Sequence, residues 1–243
     1  MNARYANPLV AAPTRPLPRH VAIIGAGSIG PDIGYYLKSA LPGIELTLVD
    51  VAQAPVDAAL KRLSDYAQKA VARGRMSADE SAAVMRGVRG TVDYDAIRGC
   101  DWVIEAATEN LALKRRIFAE VEARVADDAI VTSNTSSLPA ARIFADMLHP
   151  GRATVTHFFA PAWRNPAVEV IDWAGAGPGL VDHLRRVFCA TGKLPLVTSD
   201  AACFMLDRIF DNWCNEAAML PDRATAAETD SAAGELVHAG ASF

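Results

Sequence analysis

His157 and Glu169 are the two side chains whose types and spacing best suit proton transfer. His157 follows Ala153-Thr154-Val155-Thr156, and Glu169 lies within Val168-Glu169-Val170-Ile171. Both runs read as strands, and Pro161 and Pro166 bound the turns between them. Neighbouring strands would bring the two side chains together across a separation of 12 residues. The imidazole can then take a hydroxyl proton while the carboxylate fixes its tautomer and stabilises the imidazolium. A carboxylate among valines is costly without a partner, which points the same way. On spacing alone, a satisfied core histidine beside an unrelated glutamate is an equal alternative. His20, His149, His183 and His238 lack such a setting and read as surface or capping residues.

The second constellation is Gly25-Ala26-Gly27-Ser28-Ile29-Gly30, with Asp50 20 residues beyond its last glycine. The apolar run Val21-Ala22-Ile23-Ile24 precedes it, and Ile29, Ile33 and Leu37 follow at helical spacing. A second apolar run, Leu46-Thr47-Leu48-Val49, ends on Asp50. Strand, glycine turn, helix, strand and acid together spell a dinucleotide-binding unit. Gly25 permits the tight turn, Gly27 lets backbone approach a pyrophosphate, and Gly30 lets the helix lie on the strand. Ser28, Ile29 and Gly30 lead the N–H groups and the positive dipole end of the helix toward the phosphates. Asp50 would accept from the adenosine ribose hydroxyls and repel a 2′-phosphate, so NAD is expected rather than NADP. Pro31 suits the first helical turn. Asp32 is read as pointing to solvent, where it favours the positive helix end.

The elements that must position these residues follow from the rest of the chain. With 51% apolar residues among 243, a sizeable core and one large domain, or one domain plus a fragment, are expected. Net charge is −4 with the signs mixed, so neither nucleic acid nor an anionic membrane surface is an expected partner. Cys100, Cys189, Cys203 and Cys214 form no C-x-x-C pair, which suits a reducing cytoplasm and implies neither a metal site nor a disulfide framework. No apolar stretch approaches the roughly 18 residues of a membrane span. Residues 1–19, with four prolines, read as a loose tail.

Gln53–Arg73 and Ser77–Arg86 read as a helical pair, the second opened by a capping box at Ser77 and Glu80. Its basic residues are a solvated face or, on the sharper reading, a site for a phosphorylated ligand arm. Strands are expected at Asp101–Ala107, Ala129–Thr132, Ala153–Phe159, Ala167–Asp172 and Leu194–Thr198. Helices are expected after Asn110, after Pro139 and over Gly179–Ala190. This alternation predicts an α/β, doubly wound, mainly parallel sheet of Rossmann type over residues 20–199. Gly25, Asp50, Glu109, Ser136 and His157 all fall at or just after predicted strand ends and so could share one rim. From Cys203 the pattern turns helical. Leu206, Ile209, Phe210, Trp213 and Ala217 make one apolar stripe, and Thr225 with Glu228 opens another helix closing near Gly240. Residues 200–243 therefore read as the truncated beginning of an all-helical domain.

Taken together, these motifs resemble those of the L-3-hydroxyacyl-CoA dehydrogenases. The resemblance runs from about Val21 to Arg208. It is carried by the glycine turn, Val103-Ile104-Glu105-Ala106 with Glu109-Asn110-Leu111 and Lys114, Asn134-Thr135-Ser136-Ser137-Leu138, His157-Phe158-Phe159 and Val168-Glu169-Val170. It implies NAD-dependent oxidation of a 3-hydroxyacyl-CoA to the 3-ketoacyl-CoA. His157 would be the general base, Glu169 its partner, and Ser136 would hydrogen-bond the substrate near its reacting oxygens and the nicotinamide side. Glu109 and Lys114 would contact the cofactor. The helical pair would face the CoA, with Lys69 the nearest match to the family's lysine there. Three departures stand out. Ala160 occupies the asparagine of the His-Phe-Phe-Asn-Pro motif, and Ala202-Cys203-Phe204 replaces Pro-Gly-Phe. Asp207 replaces an asparagine that assists the substrate; a carboxylate only accepts, and its charge disfavours an alkoxide. Most of the family's helical domain, which supplies the dimer interface, has no counterpart before Phe243, so a homodimer is a weaker expectation.

Overall fold

The computed structural model describes residues 13–219 and 225–237. His238 and the expected helix end near Gly240 lie outside them, as do residues 1–12 of the tail. Strands β1 (His20–Ile24), β2 (Glu45–Val49), β3 (Val88–Thr91), β4 (Trp102–Glu105), β5 (Ile130–Ser133), β6 (Ala153–Phe158), β7 (Ala167–Asp172) and β8 (Leu194–Ser199) form one sheet. Its order is β3-β2-β1-β4-β5-β6-β7-β8. All neighbours are parallel except β6 and β7, which are antiparallel.

The α-helices are α1 (Gly30–Ala40), α2 (Gln53–Ala72), α3 (Ala78–Met85), α4 (Leu111–Glu122), α5 (Ala140–Ile143), α6 (Leu180–Ala190), α7 (Leu206–Ala218) and α8 (Ala226–Val237), with short 3-10 turns at Tyr94–Ile97 and Pro150–Arg152. The core divides by strand alternation. Val21 and Ile23 pack with Ile33, Leu46, Trp102 and Phe188 on one face. Ala22 and Ile24 pack with Val103, Phe118, Val131 and Phe144 on the other. A parallel strand buried on both faces reads as a continuous apolar run, which is how β1, β2 and β4 appear in the sequence.

The capping residues act as their types suggest. Ser77 and Glu80 form the reciprocal capping box of α3, and the Asn110 side chain accepts from Leu113 N at 3.0 Å. Strand β3 was not expected: four residues with Gly90 at the centre carry too little apolar pattern. A Cβ on Gly90 would lie 2.3 Å from Val56 Cγ1, so the glycine is where α2 crosses the strand.

Two expectations are corrected. Asp32 does not face solvent; it is 4% exposed and accepts from Arg62 Nη2 at 2.7 Å and Tyr66 Oη at 2.9 Å. The inserted α2 leans on the start of α1 and brings the compensating cation with it. His183 is not a surface residue; it is buried in α6, where burial first, and then the charges of Arg15 and Arg186, push its pKa down to about 4. All four cysteines are free thiols. Among the described residues, no helix is long and apolar enough to cross a membrane.

Candidate active site

The antiparallel step between β6 and β7 sets His157 directly opposite Glu169. His157 Nδ1 lies 2.8 Å from Glu169 Oε2, and both residues are buried. The other oxygen, Oε1, accepts from Met205 N at 3.0 Å and Leu206 N at 2.8 Å. One carboxylate therefore orients the imidazole and caps the start of α7. Burial alone would raise the Glu169 pKa, but the hydrogen bonds from His157, Leu206 and Met205 outweigh it and hold the carboxyl below its ordinary range. An ionised Glu169 only accepts, so in the neutral imidazole Nδ1 carries the proton and Nε2 presents a lone pair. Phe159 stands 4.3 Å from the imidazole, centroid to centroid, and Phe204 6.0 Å.

Asp207 enters from the first turn of α7, its Oδ2 3.8 Å from His157 Nε2. That is too long for a hydrogen bond, and it becomes an ion pair only when the imidazole is protonated. Burial raises the Asp207 pKa; the His157 ring opposes the rise, and Glu169 and Asp211 add to it. The approach into α7 puts Cys203 and Phe204 at φ values of 59° and 45°. Cys203 N donates to Ser137 O at 3.2 Å, which ties this junction to the loop after β5.

That loop holds Ser136. Its N and Oγ donate to Glu109 Oε1 at 2.9 and 3.2 Å, and Thr135 Oγ1 donates to Oε2 at 2.7 Å. Lys114 is sealed beneath, its Nζ 2.6 Å from Glu105 Oε2, 3.2 Å from Ser133 Oγ and 3.6 Å from Glu109 Oε2. Its ammonium is committed inside the protein and bears on any ligand through Glu109. Asn134, quoted only as part of a motif, accepts from Phe158 N at 2.9 Å and so joins the loop to the residue after His157.

The glycine turn has the shape its spacing implies. Gly25 has φ 109°, and a Cβ there would lie 2.5 Å from Ala106 O. A Cβ on Gly30 would lie 1.9 Å from Gly25 O. On Gly27 it would meet no protein atom within 4 Å, so open space lies where a pyrophosphate must approach. Among the described residues, no side chain caps the N-terminus of α1 at Ile29, which leaves that end for an anion. Asp50 Oδ2 accepts from Ala26 N at 2.8 Å. Beside it, Ile24, Gly25, Asp50, Tyr94, Thr108 and Leu113 line a cleft of about 320 Å³, a volume that can hold a planar base. The residues present therefore fit a dinucleotide. Arg62 reaches over the turn to the carbonyls of Gly27 and Ser28 and to Asp32. Lys69, exposed and seven residues on, lies along the same face of α2. The two clusters and the turn all stand at the carboxyl ends of β1, β2, β4, β5 and β6, which run parallel.

Residues 20–201 match the family model described as "3-hydroxyacyl-CoA dehydrogenase, NAD binding domain". The chain belongs to this family, and its cofactor is NAD. Among solved structures it is similar to the FadB2 protein of M. tuberculosis, with 27% identity and a TM-score of 0.85 over 93% of this chain and 80% of that one. It is similar to the 3-hydroxybutyryl-CoA dehydrogenase of Escherichia coli K12, with 27% identity and a TM-score of 0.80 over 84% of this chain; the match spans 43% of the E. coli chain. It also resembles an NAD+-dependent 5-formyl-3-hydroxy-2-methylpyridine 4-carboxylic acid 5-dehydrogenase, with 30% identity and a TM-score of 0.76 over 88% of this chain and 69% of that one.

Proposed function

We propose that this chain carries the catalytic half of an NAD-dependent 3-hydroxyacyl-CoA dehydrogenase, with His157 as its general base. The observation that carries the reading is the buried contact of 2.8 Å between His157 Nδ1 and Glu169, at the rim that also bears the glycine turn. In the oxidation, His157 Nε2 takes the proton of the substrate hydroxyl, and Glu169 stabilises the imidazolium that results. Bound NAD supplies the acceptor for the hydride leaving the same carbon. Ser136 Oγ, which donates to Glu109 here, would turn its one proton to the substrate oxygen when substrate binds, and Phe159 and Phe204 keep water from the imidazole. Arg62 and Lys69 mark the face of α2 along which a phosphorylated arm would lie. Helices α7 and α8 belong to a substrate or dimerisation segment; the apolar stripe of α7 leaves Ile209 62% exposed and in need of cover.

The test is NADH formation from 3-hydroxyacyl-CoA thioesters of several chain lengths, with His157→Asn in parallel. Turnover in the wild type and its loss in the variant support the reading; equal turnover in both removes His157 as the base. The likeness to a dehydrogenase of a formyl pyridine derivative favours a second reading, oxidation of a substrate that carries no CoA. Turnover of such substrates and none of thioesters would decide for it.

A further inference from the structure

We infer that Asp207 is a specificity-determining residue, whose carboxylate makes the site select substrates with an uncharged reacting end and reject 3-hydroxy acids that carry a free carboxylate. The inference rests on the reading of His157 Nε2 as the atom that meets the substrate hydroxyl.

The hydroxyl must approach Nε2 to roughly 3 Å for its proton to move. Asp207 Oδ2 is 3.8 Å from the same nitrogen. The reacting oxygen thus comes no further than about 7 Å from a second negative charge. The carboxylate of a 3-hydroxy acid, two carbons from its carbinol, falls in the same field. Glu169, on the opposite side of the ring, is already satisfied by His157 and by two backbone N–H groups. Among the described residues, Asp207 has no such compensation. Its contact with His157 Nε2 is an ion pair only when the imidazole is protonated, and Asp211, on the same helix, adds a like charge that helps raise the Asp207 pKa. The next residue, Arg208, bears on the Cys203 thiol. The Asp207 side chain is 27% exposed, so its field is only partly screened. Repulsion of this kind sorts substrates without any new contact to the favoured one. A thioester or an amide carries no charge at the position where the free acid is anionic, and escapes it.

The experiment uses two ligands of nearly equal size, 3-hydroxybutyrate and 3-hydroxybutyramide. Their Kd values are measured on the full chain with NAD, by ligand-observed NMR, for wild type and Asp207→Asn, with Asp207→Ser as the second variant. Both variants should bind the carboxylate about tenfold more tightly relative to the amide than wild type does. Added salt should narrow the wild-type preference and leave that of the variants unchanged. A relative affinity that stays within about twofold in both variants overturns the inference, as does the absence of measurable carboxylate binding to either. If the relative affinity shifts but no variant or wild-type protein turns over any 3-hydroxy substrate, the specificity role of Asp207 stands and the dehydrogenase reading falls.

Discussion

At the scale of single residues, Glu169 has two tasks, and their removal should separate. In Glu169→Gln the amide can still accept from α7, but it neither stabilises an imidazolium nor holds the tautomer as a carboxylate does. The turnover number should fall on the order of 10²–10⁴-fold, with a smaller rise in KM. A fall of less than about threefold would show that the pair is structural. Cys203 occupies the left-handed region, with φ 59°, where a side chain strains the backbone. Cys203→Gly should therefore stabilise the fold by about 1 kcal/mol, read as a shift in the urea midpoint. Sequence spacing alone left His157 and Glu169 either partners or strangers. Hydrogen bonds of 2.8 to 3.0 Å from His157 Nδ1, Met205 N and Leu206 N to one carboxylate resolve that question.

At the scale of elements, the glycine turn makes two predictions of opposite kind. A Cβ on Gly27 meets no described atom within 4 Å beyond its chain neighbours, so Gly27→Val should leave thermal stability unchanged while abolishing the stabilisation that NAD confers. For the wild type that stabilisation is about 2.7 kcal/mol at a hundredfold excess over Kd. A Cβ on Gly30 collides with Gly25 O at 1.9 Å, so Gly30→Ala should cost about 1–3 kcal/mol in the absence of any ligand. Calorimetric melts with and without NAD check both; a Gly27→Val protein that still gains stability from NAD would move the pyrophosphate elsewhere. Most of these elements were legible, because apolar runs and capping types recur where the helices and strands lie. Strand β3 was not: Val88-Arg89-Gly90-Thr91 becomes a strand only because it hydrogen-bonds to the edge of β2 and α2 packs across it. Asp32 was misread for the same kind of reason, since its partner Arg62 stands 30 residues away on a helix whose docking no local pattern discloses.

At the scale of the whole molecule, the buried His183 ties stability to pH. Unfolded, it takes a proton near its ordinary 6.5; folded, only near 4. Between these values the unfolded chain binds more protons, so stability falls as pH drops from about 6.5 toward 4 and is fully present above that window. Urea midpoints at pH 7 and pH 4.5 should differ more in the wild type than in His183→Phe. Equal differences in the two proteins would show that acid sensitivity resides in the carboxylates alone.

Local chemistry was enough to determine the dinucleotide unit, the alternating α/β plan and the residue types able to move a proton. Glycine conformations, capping and strand burial are short-range demands that a sequence states directly. Tertiary structure decided which charges meet. The antiparallel turn from β6 to β7 set Glu169 against His157, the docking of α7 set Asp207 against the other nitrogen, and α2 carried Arg62 onto the glycine turn. Those pairings depend on distances between elements far apart in the chain, and only the packed sheet and its helices fix such distances.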